Sequence, residues 1–264
     1  MQTIIAPTDF SDVSLNAVNY AADMAIALQA NLLILHAIES PVNVKKMYEA
    51  PDAIELEAEE KLNGLEASLL KRTSGKVSVQ TKQVIGLIES EIIKICTYKN
   101  PLAIVMATKG ASIKDHFFME SITVYLSKNL KHPVIVVPPN TQYKPVNKIL
   151  LATDLEHLYS FPVEKIKSIA KVFNAKVDIV HVYNKEDKCE VMVSRMTELM
   201  LYLDSIDPQF HFIYNKDVYK GIIDFAKENK SDIILAFPKK HAFFHKSESK
   251  QFIFNAPLTV MTIQ

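Results

Sequence analysis

The chain has 264 residues, 48% of them hydrophobic, enough for one large domain or two ordinary ones with real cores. Lys+Arg and Asp+Glu stand at 30 each, so the net charge is zero, which argues against a basic nucleic-acid surface as the main function. With 5 glycines in all, a glycine-rich phosphate loop is nearly excluded, and no apolar run approaches the ~20 residues of a membrane span.

Met1-Gln-Thr runs into an apolar strand with no basic n-region, so a cytoplasmic location is expected. Cys96 and Cys189 lie far apart, form no metal-ligand spacing, and are expected to be reduced. The first predicted element is a buried strand over Thr3–Pro7, followed by Thr8-Asp9-Phe10-Ser11-Asp12. A strand ending in Asp and Ser reads as an entry into a helix N-cap. Apolar residues at helical spacing then predict an amphipathic helix from Ser11 to Leu28. Asn31 to Ala37 is a second buried strand, and residues 40–54 are irregular, with prolines at 41 and 51. Ile54–Leu70 reads as a long helix whose Glu-rich part, 55–66, is a solvated face. Lys76–Val84 alternates like a half-exposed strand near a sheet edge. Leu87–Tyr98 is a helix, Leu102–Ala107 a buried strand, Met119–Leu130 a helix, and Pro133–Pro138 a fifth strand. Strands alternating with helices predict parallel βαβ units.

The pattern then restarts. Ile149-Leu-Leu-Ala-Thr-Asp154 repeats Ile4-Ile-Ala-Pro-Thr-Asp9 at an offset of 145, and His181 stands at the same offset from His36. Asp232–Ala236 echoes Ala103–Ala107 at 129, and Asn255-Ala-Pro257 echoes Lys131-His-Pro133 at 124. A shrinking offset means shorter loops in the second copy. Conserved strand order predicts two tandem domains of one α/β, doubly wound fold: 1–140, a linker at 141–147, and 148–264.

The opening Pro7-Thr8-Asp9-Phe10-Ser11, the Leu35-His36 strand end, the Val105–Gly110 turn and the closing Lys131-His132-Pro133-Val-Ile-Val-Val together resemble a tandem universal stress protein. The resemblance covers essentially the whole chain. It implies a Rossmann-like, five-stranded parallel sheet in each half, a stress-response role, and fifth strands that pair the two halves into an internal pseudo-dimer. Homodimerisation beyond that is left open. Many members of the family bind ATP with a Gly-x2-Gly-x9-Gly-Ser/Thr pattern after the fourth strand. The matching positions here are Ala107, Gly110, Glu120 and Ser121. The missing glycines matter because they let backbone N–H groups approach phosphate oxygens. Glu120 adds a like charge, which at ~4 Å and an effective dielectric of ~20 repels by about 4 kcal/mol. In the second copy Phe237-Pro-Lys-Lys-His241-Ala-Phe-Phe-His245-Lys has no glycine, and Pro238 removes a donor.

The resemblance implies an adenine nucleotide, ATP or a relative, contacting Pro7, Thr8, Asp9, Ala37, Met106, Ala107, Gly110, Ser121, Ile122 and Thr123. Thr153 and Asp154 are weaker equivalents in the second copy. Asp9 and Asp154 read more readily as helix caps. Ser121–Thr123 read as a helix start, where free N–H groups bind an anion or Ser121 caps. His36 and His181 read as packed, hydrogen-bonded histidines. His241 and His245, with Lys239, Lys240 and Lys246, form either a basic anion- or metal-binding loop, or a solvated one with Phe243 and Phe244 tucked inward. No nucleophile–base pair, zinc motif or paired carboxylates stand out, so no metal or required cofactor is expected. Three functions follow: a stress-response protein that binds an unknown protein partner over a degenerate nucleotide site; an ATP-binding switch, with or without slow hydrolysis, that uses the first domain alone; or an enzyme of the wider adenine-nucleotide-binding α/β group, for which the sequence offers no catalytic constellation.

Overall fold

The structure is a computed structural model that describes residues 1–38, 51–108, 116–155, 158, 161–183, 189–237 and 255–264. Side chains are described for these residues except at 51, 116–121, 189 and 191. Strand β1 (Thr3–Pro7) leads into helix α1 (Asp12–Ala27), capped by Ser11, whose side chain accepts from the Ser14 N–H. Ala17, Ala21, Ala22 and Ala25 make the buried face of α1 small, which lets the helix lie close on the sheet. β2 (Asn31–Ile38) follows, then α2 (Pro51–Arg72). This helix begins three residues before the expected Ile54, because proline at a first helical position loses no needed donor. β3 (Val79–Ile85), α3 (Ile88–Lys99), β4 (Ala103–Ala107), α4 (His116–Asn129) and β5 (Val134–Val137) complete the first copy.

The second copy runs β6 (Lys148–Ala152), α5 (Val163–Phe173), β7 (Lys176–Tyr183), α6 (Cys189–Leu203), β8 (Gln209–Tyr214), α7 (Val218–Glu228), β9 (Ile233–Ala236) and β10 (Thr259–Thr262). The chain forms two compact units: Met1–Leu126 with Val137–Tyr143, and Ser127–Val136 with Lys144–Gln264. The first has strand order β3-β2-β1-β4, all parallel. The second has order β5-β10-β9-β6-β7-β8, parallel throughout except for β5 against β10. Here Val260, Met261 and Thr262 face Val136, Ile135 and Val134, so the pairing expected of the two fifth strands is present, with β5 drawn from the first repeat.

The repeat extends to individual hydrogen bonds. Gln29 and Asn174, 145 residues apart, both close their helices at positive φ, 51° and 50°. The next N–H reaches back in each case, Ala30 to Ala25 O at 2.9 Å and Ala175 to Ala170 O at 3.0 Å, as a helix C-cap requires. The cores are aliphatic; in the second unit Leu150, Val180, Ile222, Ile234 and Val260 pack together.

Candidate functional site

In the first unit the chain moves from β1 outward to β2 and β3, then returns to place β4 on the other side of β1. The strand order reverses there, and in open α/β sheets such a switch point, at the carboxyl ends of β1 and β4, is where a ligand crevice forms. Thr8, Asp9 and Phe10 leave β1 at this point. The Thr8 N–H donates to Leu35 O at 2.8 Å, and the Phe10 N–H donates to Thr8 Oγ1 at 3.0 Å. That short loop puts Phe10 at φ 62°, a left-handed conformation that a bulky residue adopts only when its neighbours hold it. His36, at the end of β2, donates from Nδ1 to Thr8 O at 2.8 Å, because a carbonyl can only accept. Its ring lies 4.4 Å from the Phe10 ring, and Lys61 Nζ of α2 sits 5.7 Å from the same ring.

Asp9 is committed locally. Its Oδ1 accepts from the Ser11 N–H at 3.0 Å and from the Ser11 hydroxyl. Burial raises the carboxyl's pKa, but hydrogen bonds from Ser11 and Ser14 outweigh it and hold the group below the usual carboxylate range. Burial pushes His36 down, and the Thr8 carbonyl and Asp9 only partly offset this. The Thr8 hydroxyl shares a 2.9 Å hydrogen bond with Ser14.

The second copy reproduces this loop. The Thr153 N–H donates to Val180 O at 2.9 Å, the Leu155 N–H to Thr153 Oγ1 at 2.9 Å, and His181 Nδ1 to Thr153 O at 2.8 Å. Leu155 has φ 58°. Both histidines are therefore packed and hydrogen-bonded, as the sequence suggested. Asp154 is half-buried beside this loop.

The ends of β4 and β9 differ. Thr108, just past β4, is 1% exposed, and among the described residues its hydroxyl has no hydrogen-bond partner. Its N–H donates to Val137 O at 3.3 Å. The matching residue past β9 is Phe237, 3% exposed, with its ring 4.9 Å from that of Phe161. An aromatic pair thus stands where the first copy has a bare hydroxyl. Sequence reasoning missed Thr108; the signal was its alignment with Phe237 at the 129-residue offset.

The other expected contacts are dispersed. Pro7 and Ala37 lie on β1 and β2, with Pro7 opposite Leu35 and Ala37 opposite Val84. Met106 and Ala107 are buried in β4, and Ile122 is buried at 5% exposure. Thr123 is fully buried, its hydroxyl 3.9 Å from Met106 Sδ, so it packs under β4. The expected helix start at Met119 is corrected: α4 begins at His116, so Ser121, Ile122 and Thr123 are its sixth to eighth residues. Their amides lie past the four that a helix leaves free, where intrahelical bonding uses them. Gly110, the side chains of Glu120 and Ser121, the side chain of Cys189 and the loop with His241 and His245 lie outside the described residues. Among the described residues no group of three or more His, Cys, Asp or Glu side chains is placed to hold a metal, and no helix is long and apolar enough to cross a membrane. A cavity of about 450 Å³ lies away from the crevice, at the β3 edge.

Comparison with known proteins adds the following. The model of the family described as "Universal stress protein family" matches residues 1–138. Universal stress protein MJ0531 of Methanocaldococcus jannaschii is 28% identical over 136 residues, covering 51% of this chain and 80% of that protein. A universal stress protein from Archaeoglobus fulgidus superposes with a TM-score of 0.73 at 19% identity, over 99% of this chain and 96% of that one. A functionally unknown protein from Pseudomonas aeruginosa, PA1789, gives a TM-score of 0.55 at 14% identity, over 100% of this chain and 92% of its own. At these identities the two structural matches speak for the fold.

Proposed function

The chain belongs to the universal stress protein family, and from that premise we propose that it is a stress-response protein that acts by binding rather than by catalysis, with a degenerate nucleotide site. The observation that carries this reading is the state of Asp9. Its carboxylate is held by Ser11 and Ser14 and kept below the ordinary range. That suits a fixed acceptor in a turn, whereas a general base works best with a pKa near the operating pH. The Phe237–Phe161 pair at the end of β9 supports a second copy that keeps the fold without the ligand. Domains at 1–140 and 148–264, joined by 141–147, fit the repeated loops. The β5–β10 pairing supports an internal pseudo-dimer. A protein partner, a cytoplasmic location and homodimerisation belong to the same proposal.

A second reading rests on Thr108. A buried hydroxyl without a partner costs about 1–3 kcal/mol, and a ligand in the β1/β4 crevice would satisfy it. In that reading the first copy alone binds an adenine nucleotide and works as a switch, and any hydrolysis is slow. Pro7, Thr8, Asp9, Ala37, Met106, Ala107, Gly110 and Ser121–Thr123 remain its proposed surroundings, with Thr153 and Asp154 as the weaker second set.

Denaturing release followed by mass spectrometry, then calorimetric titration with ATP, separates the two. A clean protein with no heat of binding supports the binding protein that has abandoned its ligand. Adenine nucleotide at near one per chain supports the switch. Thr108→Val sharpens the result. It is expected to raise stability by about 1 kcal/mol in urea, because it removes the unsatisfied hydroxyl, and to weaken ATP only if the switch reading holds.

A further inference from the structure

Among the described residues β3 pairs on one side alone, with β2. Ser78 O accepts from the Leu32 N–H, and the Gly86 N–H donates to Ile38 O. In a parallel ladder alternate residues turn both backbone groups to the same side. The even-numbered residues from Ser78 to Gly86 therefore face β2, and the N–H and C=O groups of Val79, Thr81, Gln83 and Ile85 point off the edge. Such a row is a template for another strand.

The cavity of about 450 Å³ sits on this row. Gln80, Thr81 and Lys82 line its floor, Glu66 of α2 flanks one side, and Tyr98 and Lys99 of α3 flank the other. Glu66 is engaged by the Thr81 hydroxyl at 3.1 Å. On the α3 side the charge is positive: Lys82 and Lys94 share the carboxylate of Glu91, and Lys99 is exposed nearby. Tyr98, 60% exposed, adds an aromatic wall.

We propose that the β3 edge binds an extended acidic peptide segment of a partner protein, which adds as a strand between α2 and α3. The backbone row supplies register-independent hydrogen bonds, and the exposed Lys99 beside the cavity selects a carboxylate on the α3 side. A second copy of this chain fits poorly. Full antiparallel self-pairing of Val79–Ile85 centres on Lys82 and sets it against itself, and like charges directly opposite repel.

The test is selection of a displayed library of random seven-residue peptides on the full-length chain, followed by binding of the enriched peptides by fluorescence anisotropy. Enriched sequences are expected to alternate β-branched residues with Asp or Glu. Lys99→Glu, an exposed change, should weaken them about tenfold, as expected for loss of a complementary charge with a repulsive one added. Thr81→Pro removes an outward N–H and leaves the β2 ladder intact, so it should abolish binding. Thr81→Val, which loses the Glu66 contact but keeps the N–H, should retain it. On hydrogen exchange the amides of Val79, Thr81 and Gln83 should gain protection when peptide binds. Absence of any enriched peptide, enrichment without acidic residues, or binding that survives Thr81→Pro would overturn the proposal. So would a concentration-dependent dimer that Thr81→Pro dissolves, which would make a second copy the occupant.

Discussion

Ser11 holds the turn between β1 and α1 through two roles. Its hydroxyl accepts from the Ser14 N–H at 3.3 Å and donates to Asp9. Ser11→Ala therefore removes a cap and an anchor of the carboxylate together. A loss of about 1 kcal/mol in urea unfolding is expected from the cap alone, and a larger loss would measure the Asp9 contact. His36 carries a pH signature. Its pKa in the folded chain lies below the ordinary histidine value of 6.5, so the unfolded chain binds a proton first as pH falls. The stability it contributes is complete above pH 6.5 and is lost as pH drops toward the depressed folded value. Denaturation measured across that window should show a slope that His36→Asn flattens, and a proton titration of the His36 ring by NMR should give a value below 6.5.

At the level of elements, two helical glycines should behave in opposite ways. Gly64, within α2, has nothing among the described residues within 4 Å of where a Cβ would lie. Gly64→Ala should stabilise by up to about 1 kcal/mol through helix propensity. Gly221, within α7, would place that Cβ 2.9 Å from Val182 Cγ1 and 3.0 Å from Asn215 Cβ. Valine is stiff at χ1, so the neighbour cannot give way cheaply. Gly221→Ala should cost about 1–3 kcal/mol by overpacking, despite the better propensity. Thermal melts of the two variants against the parent settle the sign in each case. The Gly221 contact could not be read from the sequence, because it depends on how closely α7 lies on β7. The strands themselves were legible, since a buried parallel strand must be a nearly continuous apolar run, as Ile104-Val-Met-Ala is. The start of α4 carries a signal that placing it at Met119 passes over: Asp115, a favoured N-cap residue, directly precedes His116. That three-residue difference moves Ser121 from a helix mouth to a helix interior.

For the whole molecule, the repeat was legible because it rests on residues that the fold needs at each strand end. Thr8 and Thr153, and His36 and His181, make matching bonds. The fate of the crevice was only half legible: Glu120 and the absent glycines are visible, but Phe237 closing on Phe161 is a matter of packing. The assignment of most of β5 to the second compact unit leaves no mark in the sequence at all. It does yield a prediction. Val260 lies inside a strand paired on both sides, so Val260→Pro should cost about 3 kcal/mol or more by removing a ladder donor. It should also bare the β5 edge, so that sedimentation velocity detects self-association of the variant where the parent shows none of that origin.

The same pairing imposes a schedule on synthesis. Val260 is made 124 residues after Val136, its opposite number across the ladder. At about 5–20 residues per second a ribosome takes roughly 6–25 s to cover that interval. For that time β5, with its Val-Ile-Val-Val sequence, has no β10 to receive it, while the strands before it already have partners. A nascent chain halted just short of β10 should be the form most readily captured by chaperones, and release of the last strand should end that dependence.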